Sequence, residues 1–144
     1  MDEFKKILVA TDTRFETDPV VDEAVEIAKI NQASLTLVDV IPDFSWMVRL
    51  TLKDHVHMRE LIEQEKQQKL EALVTKIRDK GVDAHWKLLR GKTSIAIIRE
   101  VLRSNHDLVI RVTKNRESRN AGFFGNTGSR LLRKCPCALL LISP

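Results

Sequence analysis

Apolar residues along this chain fall into two rhythms, short continuous runs and longer stretches spaced by three and four. Ile7-Leu8-Val9-Ala10 is a continuous run between lysines and Thr11-Asp12-Thr13, which predicts a central strand buried on both faces of a parallel sheet. Leu35 to Ile41, stopped by Pro42, predicts a second strand, and Leu108 to Val112 and Ala138 to Ile142 predict two more. Val82, Ala84, Trp86 and Leu88 alternate with Asp83, His85 and Lys87, the period of a strand buried on one face and so placed at an edge. Between the strands, Asp18 as N-cap and Pro19 at the first helical position introduce Val21, Ala24, Val25 and Ala28, a helix ending near Asn31. A long helix follows from Lys53, with a stripe of Leu70, Leu73, Val74 and Ile77 and a C-cap at Gly81. Its polar middle, Glu63 to Lys69, reads as a solvated surface supported by Glu65 and Lys69 four apart. Gly91-Lys92-Thr93-Ser94 reads as a turn with a capping residue, opening a third helix whose apolar side is Ile95, Ile98, Val101 and Leu102. Leu131 and Leu132 mark a short fourth helix before Pro136.

Strands alternating with helices predict an α/β fold, a single domain over residues 1–144 with an open five-stranded parallel sheet in the order 3-2-1-4-5 and helices on both faces. In such a sheet ligands bind beyond the carboxyl ends of the strands where the order reverses, here between strands one and four. Strand four empties there into a long basic loop, Arg111 to Thr127, and a helix start at Gly125, where free backbone N–H groups favour phosphate. Asp12 would face this loop across the crevice.

Composition refines the picture. The 144 residues are 43% hydrophobic and 31% charged, ordinary for a folded domain, and a chain of this size buries roughly 70% of its unfolded surface. No run approaches the roughly 20 apolar residues of a membrane helix, and the first residues lack a signal-peptide pattern, so a cytoplasmic location without membrane insertion is expected. The net charge of +4 is uneven: residues 111–134 carry +6 and the rest −2. With only Phe123 and Phe124 as aromatics, that segment makes a poor stacking platform, and nucleic acid is not the expected partner. No nucleophile elbow, Walker lysine motif or histidine spaced for a triad is present, which argues against an enzyme. His55 and His57 cannot share a helix face, so no metal role is expected for them. Cys135 and Cys137 flank Pro136, too close for an ordinary structural disulfide, and read as core or strand-entry thiols, with a metal or redox role as the alternative. Asp39 reads as a solvated strand-end acid, with an acting group at the sheet edge as the alternative. The apolar stretch Phe44 to Leu52 fits a lid, a partner patch or the packed start of the long helix.

Lys5-Lys6-Ile7-Leu8-Val9-Ala10-Thr11-Asp12, Leu37-Val38-Asp39-Val40, Gly91 before helix three, His106-Asp107-Leu108-Val109-Ile110 and Leu131-Leu132-Arg133-Lys134-Cys135-Pro136-Cys137 together resemble the universal stress protein family over nearly the whole chain. The middle is most similar to the tandem-domain members. The resemblance implies a Rossmann-like, adenine nucleotide alpha hydrolase-like fold and a cytoplasmic stress-response domain, commonly dimeric, some of whose members bind ATP through G-x2-G-x9-G-(S/T). Here that pattern falls on Val112, Asn115, Gly125 and Asn126, so two of its three glycines are replaced. Glycine there allows close backbone approach and positive φ, which Asn tolerates better than β-branched Val. The family's adenosine contacts would map onto Ala10, Asp12 and Val40, Asp12 being either a ribose or adenine partner or a loop cap. Two functions stay open: a degenerate ATP crevice in which Lys114, Arg116 and Arg119 replace backbone amides, with Gly125, Asn126 and Thr127 offering N–H groups, or a scaffold without nucleotide that acts through homodimerisation by the last strand and contacts with a protein partner.

Overall fold

The computed structural model describes residues 4–11, 18–41, 55–112, 130, 131 and 133–142. Strands β1 (Lys6–Ala10), β2 (Ser34–Ile41), β3 (Ala84–Arg90), β4 (Leu108–Val112) and β5 (Ala138–Ile142) form one sheet in the order β3-β2-β1-β4-β5. Every neighbouring pair is parallel. The helices α1 (Asp18–Asn31), α2 (His55–Asp79) and α3 (Thr93–Ser104) are the crossovers that parallel pairing demands. Residues 130, 131, 133 and 134 are helical, where the short fourth helix was predicted. The sheet order thus follows from the hydrophobic rhythm.

Two cores sandwich the sheet. Odd-numbered positions Ile7, Val9, Leu35 and Leu37 pack with Val21, Ala24, Val25 and Ala28 of α1 and with Leu70, Val74 and Ile77 of α2. Even-numbered Leu8 and Val38, with Val109, pack with Ile97 and Val101 of α3 and with Leu131. A strand covered on both faces needs apolar residues at both parities, which is why β1 reads as an unbroken run. β3 has mostly half-buried or exposed positions, as its alternation predicted. Gly81 ends α2 with φ +88 and Gly91 begins the turn into α3 with φ +105, both in the left-handed region that glycine enters at least cost.

Three expectations need correction. α3 buries Ser94, Ala96, Ile97, Glu100 and Val101, whereas Ile95 and Leu102, assigned to its apolar side, are 45% and 64% exposed. Its N-cap is Lys92, which makes no side-chain capping bond, so the turn supplies no capping side chain. The polar middle of α2 is not wholly solvated: Glu65 and Lys69 pair at 3.1 Å on the exposed face, but Lys66 is buried.

At the amino ends of the strands, Asp107 clamps β1 to β4. Its carboxylate accepts the Lys5 N–H at 2.7 Å and the Lys6 N–H at 3.1 Å. This places the His106-Asp107 motif at the end of the sheet opposite the expected crevice.

Candidate functional site

The sheet order reverses between β1 and β4, and these strands lie side by side with Ala10 opposite Arg111. Their carboxyl ends therefore open a crevice of the kind that ligands occupy in parallel sheets. Ala10 is half-buried and packs on the α3-side core. β2 runs past β1: Ala10 pairs with Val38, and Asp39, Val40 and Ile41 continue against Leu88, Leu89 and Arg90 of β3. Thr11 fixes the chain leaving β1, donating its N–H at 2.8 Å and its hydroxyl at 2.9 Å to the Val38 carbonyl. Val40, half-buried, therefore stands above the end of β1.

Val112 completes β4 opposite Ile142. Its backbone is that of a paired strand residue, so the β-branched residue is not forced into positive φ there. Of the other residues expected at the site, Asp12, Lys114, Asn115, Arg116, Arg119, Gly125, Asn126 and Thr127 lie outside the described residues, as does the stretch Phe44 to Leu52. The structure thus brings Ala10, Val40 and Val112 to one end of the sheet.

Asp39 corrects the expectation of a solvated acid. It is 4% exposed, and its Oδ2 accepts a hydrogen bond from Lys66 Nζ of α2 at 3.0 Å. Its Oδ1 accepts the Val40 N–H at 2.8 Å. Asp39 shares the parity of Leu37 and so faces the α1–α2 side, where Lys66 meets it. The pair fixes the end of β2, and with it the backbone of Val40. Neither residue alone signals the pair, because its two members stand on different elements 27 residues apart. Lys66 stands four residues before Leu70 and eight before Val74, on the buried stripe continued by one turn.

Further along the carboxyl edge, a cleft of about 340 Å³ is lined by Arg59, Arg90, Gly91, Lys92 and Arg99. Glu63 bridges Arg59 and Arg90 there. This end of β3 and α3 is accordingly electropositive, in keeping with an anionic ligand at the same end of the sheet.

A second polar cluster lies between α3 and the amino ends of the strands. Glu100, 1% exposed, accepts Lys87 Nζ at 2.9 Å and Ser104 Oγ at 2.8 Å through Oε2. Burial pushes the Glu100 carboxyl up, but the bonds from Lys87 and Ser104 and the Lys87 charge outweigh it and hold the group below its ordinary value. His106, 5% exposed, is driven below the ordinary imidazole value by burial first and then by the charge of Lys6. No cluster of three or more His, Cys, Asp or Glu that could hold a metal occurs among the described residues, and no helix among them is long and apolar enough to cross a membrane.

Comparison with known proteins accords with this geometry. The universal stress protein family profile matches residues 3–143. A curated relative, universal stress protein E of Photorhabdus laumondii subsp. laumondii, is 26% identical over 145 residues, covering 99% of this chain and 46% of its own length. The chain therefore spans about half of that relative. A universal stress protein family structure from Burkholderia pseudomallei superposes with a TM-score of 0.77 at 20% identity, covering 96% of each chain. An Arabidopsis thaliana family structure with AMP bound superposes with a TM-score of 0.70 at 19% identity, covering 96% of this chain and 91% of that one. At these identities the structural likeness concerns the fold.

Proposed function

The chain belongs to the universal stress protein family, and on that premise we propose that it is a cytoplasmic stress-response regulator whose crevice between β1 and β4 takes an adenine nucleotide through a degenerate phosphate cradle. The observation that carries this reading is the reversal of strand order between β1 and β4, which sets the end of Ala10 beside Arg111 and leaves Val40 standing above them. The AMP bound to the Arabidopsis relative supports the ligand class. In this reading Ala10, Asp12 and Val40 contact the nucleoside, while Lys114, Arg116 and Arg119 supply charge where Val112 and Asn115 replace glycine. On the same reading the N–H groups of Gly125, Asn126 and Thr127 complete the phosphate contacts. Arginine can engage phosphate bidentately, but ordering long side chains costs entropy that a glycine cradle avoids, so binding is weak. The role is binding rather than catalysis.

Calorimetry tests this. ATP and AMP titrated into the wild type should give measurable heat that is weakened by the Lys114→Ala, Arg116→Ala, Arg119→Ala triple variant. Tight binding untouched by the triple change would refute the cationic cradle. No heat from either nucleotide would favour the second reading, a dimeric scaffold, which rests on the uncharged β5 edge with Leu140 38% exposed.

A further inference from the structure

Cys135 and Cys137 belong neither to the crevice nor to a metal cluster. The Cys135 N–H donates to the Leu131 carbonyl at 2.9 Å, closing the helical turn, and Pro136 then leads into β5. Both side chains are half-buried rather than sealed in the core. Their sulfurs lie 3.8 Å apart, with one S–H directed at the other sulfur. Cys137 also donates to the Ala138 carbonyl at 3.5 Å. Pro136 restricts φ between them, so little freedom is left to lose when the sulfurs join.

We propose that Cys135 and Cys137 form a dithiol–disulfide exchange site whose co-substrate is a low-molecular-weight disulfide of the glutathione type. In the first step the Cys135 thiolate attacks one sulfur of the small disulfide. That S–S bond breaks, and one small thiolate leaves and takes up the proton lost by Cys135. In the second step Cys137 loses its proton and attacks Cys135 Sγ, expelling the second small thiol, which takes up that proton. Two protein thiols are oxidised to one disulfide, and one small disulfide is reduced to two thiols. Burial, then the neighbouring Cys135, push the Cys137 thiol up to about 12, which makes Cys137 a poor entering nucleophile and suits it to the second step, where the attack is intramolecular. Contact between the sulfurs gives the second step the high effective concentration of an intramolecular reaction. A loop holding Pro136 alone gains little from chain-entropy loss and is strained, which makes the disulfide reversible rather than a structural staple.

The test uses the native full chain, incubated with glutathione disulfide, alkylated and weighed intact. Wild type is expected to lose the mass of two hydrogens, accept no alkylating groups and retain no glutathione. Cys137→Ser should stop at a single glutathione adduct, and Cys135→Ser should react more slowly than wild type. A glutathione adduct retained on wild type, two alkylated thiols, or a disulfide joining two copies would each overturn the proposal. The wild-type masses decide the matter even if a serine variant fails to fold.

Discussion

Lys66 and Asp39 are two charges that neither the strand nor the helix pattern predicts inside the protein, and each depends on the other. Breaking a buried pair leaves one charge without compensation, so Lys66→Met should lower stability by about 3–5 kcal/mol in denaturant unfolding, while Asp39→Leu combined with Lys66→Met should recover most of that loss. A double change as costly as the two single changes together would show that the residues act independently. His106 and Glu100 give a second test, through pH. The folded His106 has its proton affinity lowered from the ordinary 6.5, so the unfolded chain binds a proton that the folded chain resists. Stability should therefore fall as pH drops through about 6.5 and go on falling until the folded imidazole itself titrates. Glu100 acts lower: its carboxyl is held below 4.5, so its contribution is present above that value and is lost as pH falls through its folded pKa. Chemical unfolding at a series of pH values, on wild type and His106→Leu, should show the upper slope vanish in the variant. A slope kept by His106→Leu would assign it to other groups.

At the scale of elements, α3 shows where periodicity runs out. Ile95, Ala96, Ile97 and Ile98 are consecutive apolar residues, so two overlapping faces fit helical spacing at the start of the helix. The face that is buried carries Ser94 and Glu100, whose polarity argues against it until Lys87 on β3 is seen to pair with Glu100 at 2.9 Å. Ile97→Ala should cost about 2–5 kcal/mol, whereas Leu102→Gln, at 64% exposure, should change stability by no more than about 0.5 kcal/mol. Reversed effects in thermal or denaturant unfolding would restore the sequence-based face. The strands were more legible, because a run such as Ile7 to Ala10 has no helical alternative at that length and its flanking polar residues set its ends. The end of the sheet where the strand order reverses follows from element order alone. What escaped was pairing across elements: Asp39 with Lys66, Glu100 with Lys87, and Asp107 with the N–H groups of Lys5 and Lys6. For Asp39 and Glu100 a polar residue in an apolar context is the only local trace, while Asp107 follows polar Asn105 and His106, and every partner lies 13 or more residues away.

Across the whole molecule, the two edges of the sheet are built differently. β3 carries His85, Lys87 and Arg90, which meet Asp83, Glu100 and Glu63, so one edge is lined with charge that discourages another strand. β5 reads Ala138-Leu139-Leu140-Leu141-Ile142, has no charge, and leaves every residue at least partly exposed. An apolar, uncharged edge strand is a template for a second chain, and a second copy presents the same strand. Homodimerisation should therefore run through β5 and not β3. Sedimentation at equal concentration should show wild type at twice the mass of the chain and Leu140→Lys shifted toward the monomer, because a lysine on each copy sets like charges together in the paired edges. His85→Leu, which removes polarity from the other edge, should leave the dimer mass unchanged. Circular dichroism on the same samples would establish that Leu140→Lys is folded. A folded Leu140→Lys protein that still sediments as a dimer would move the interface away from β5, and a wild type that is monomeric throughout would leave that edge without a second copy.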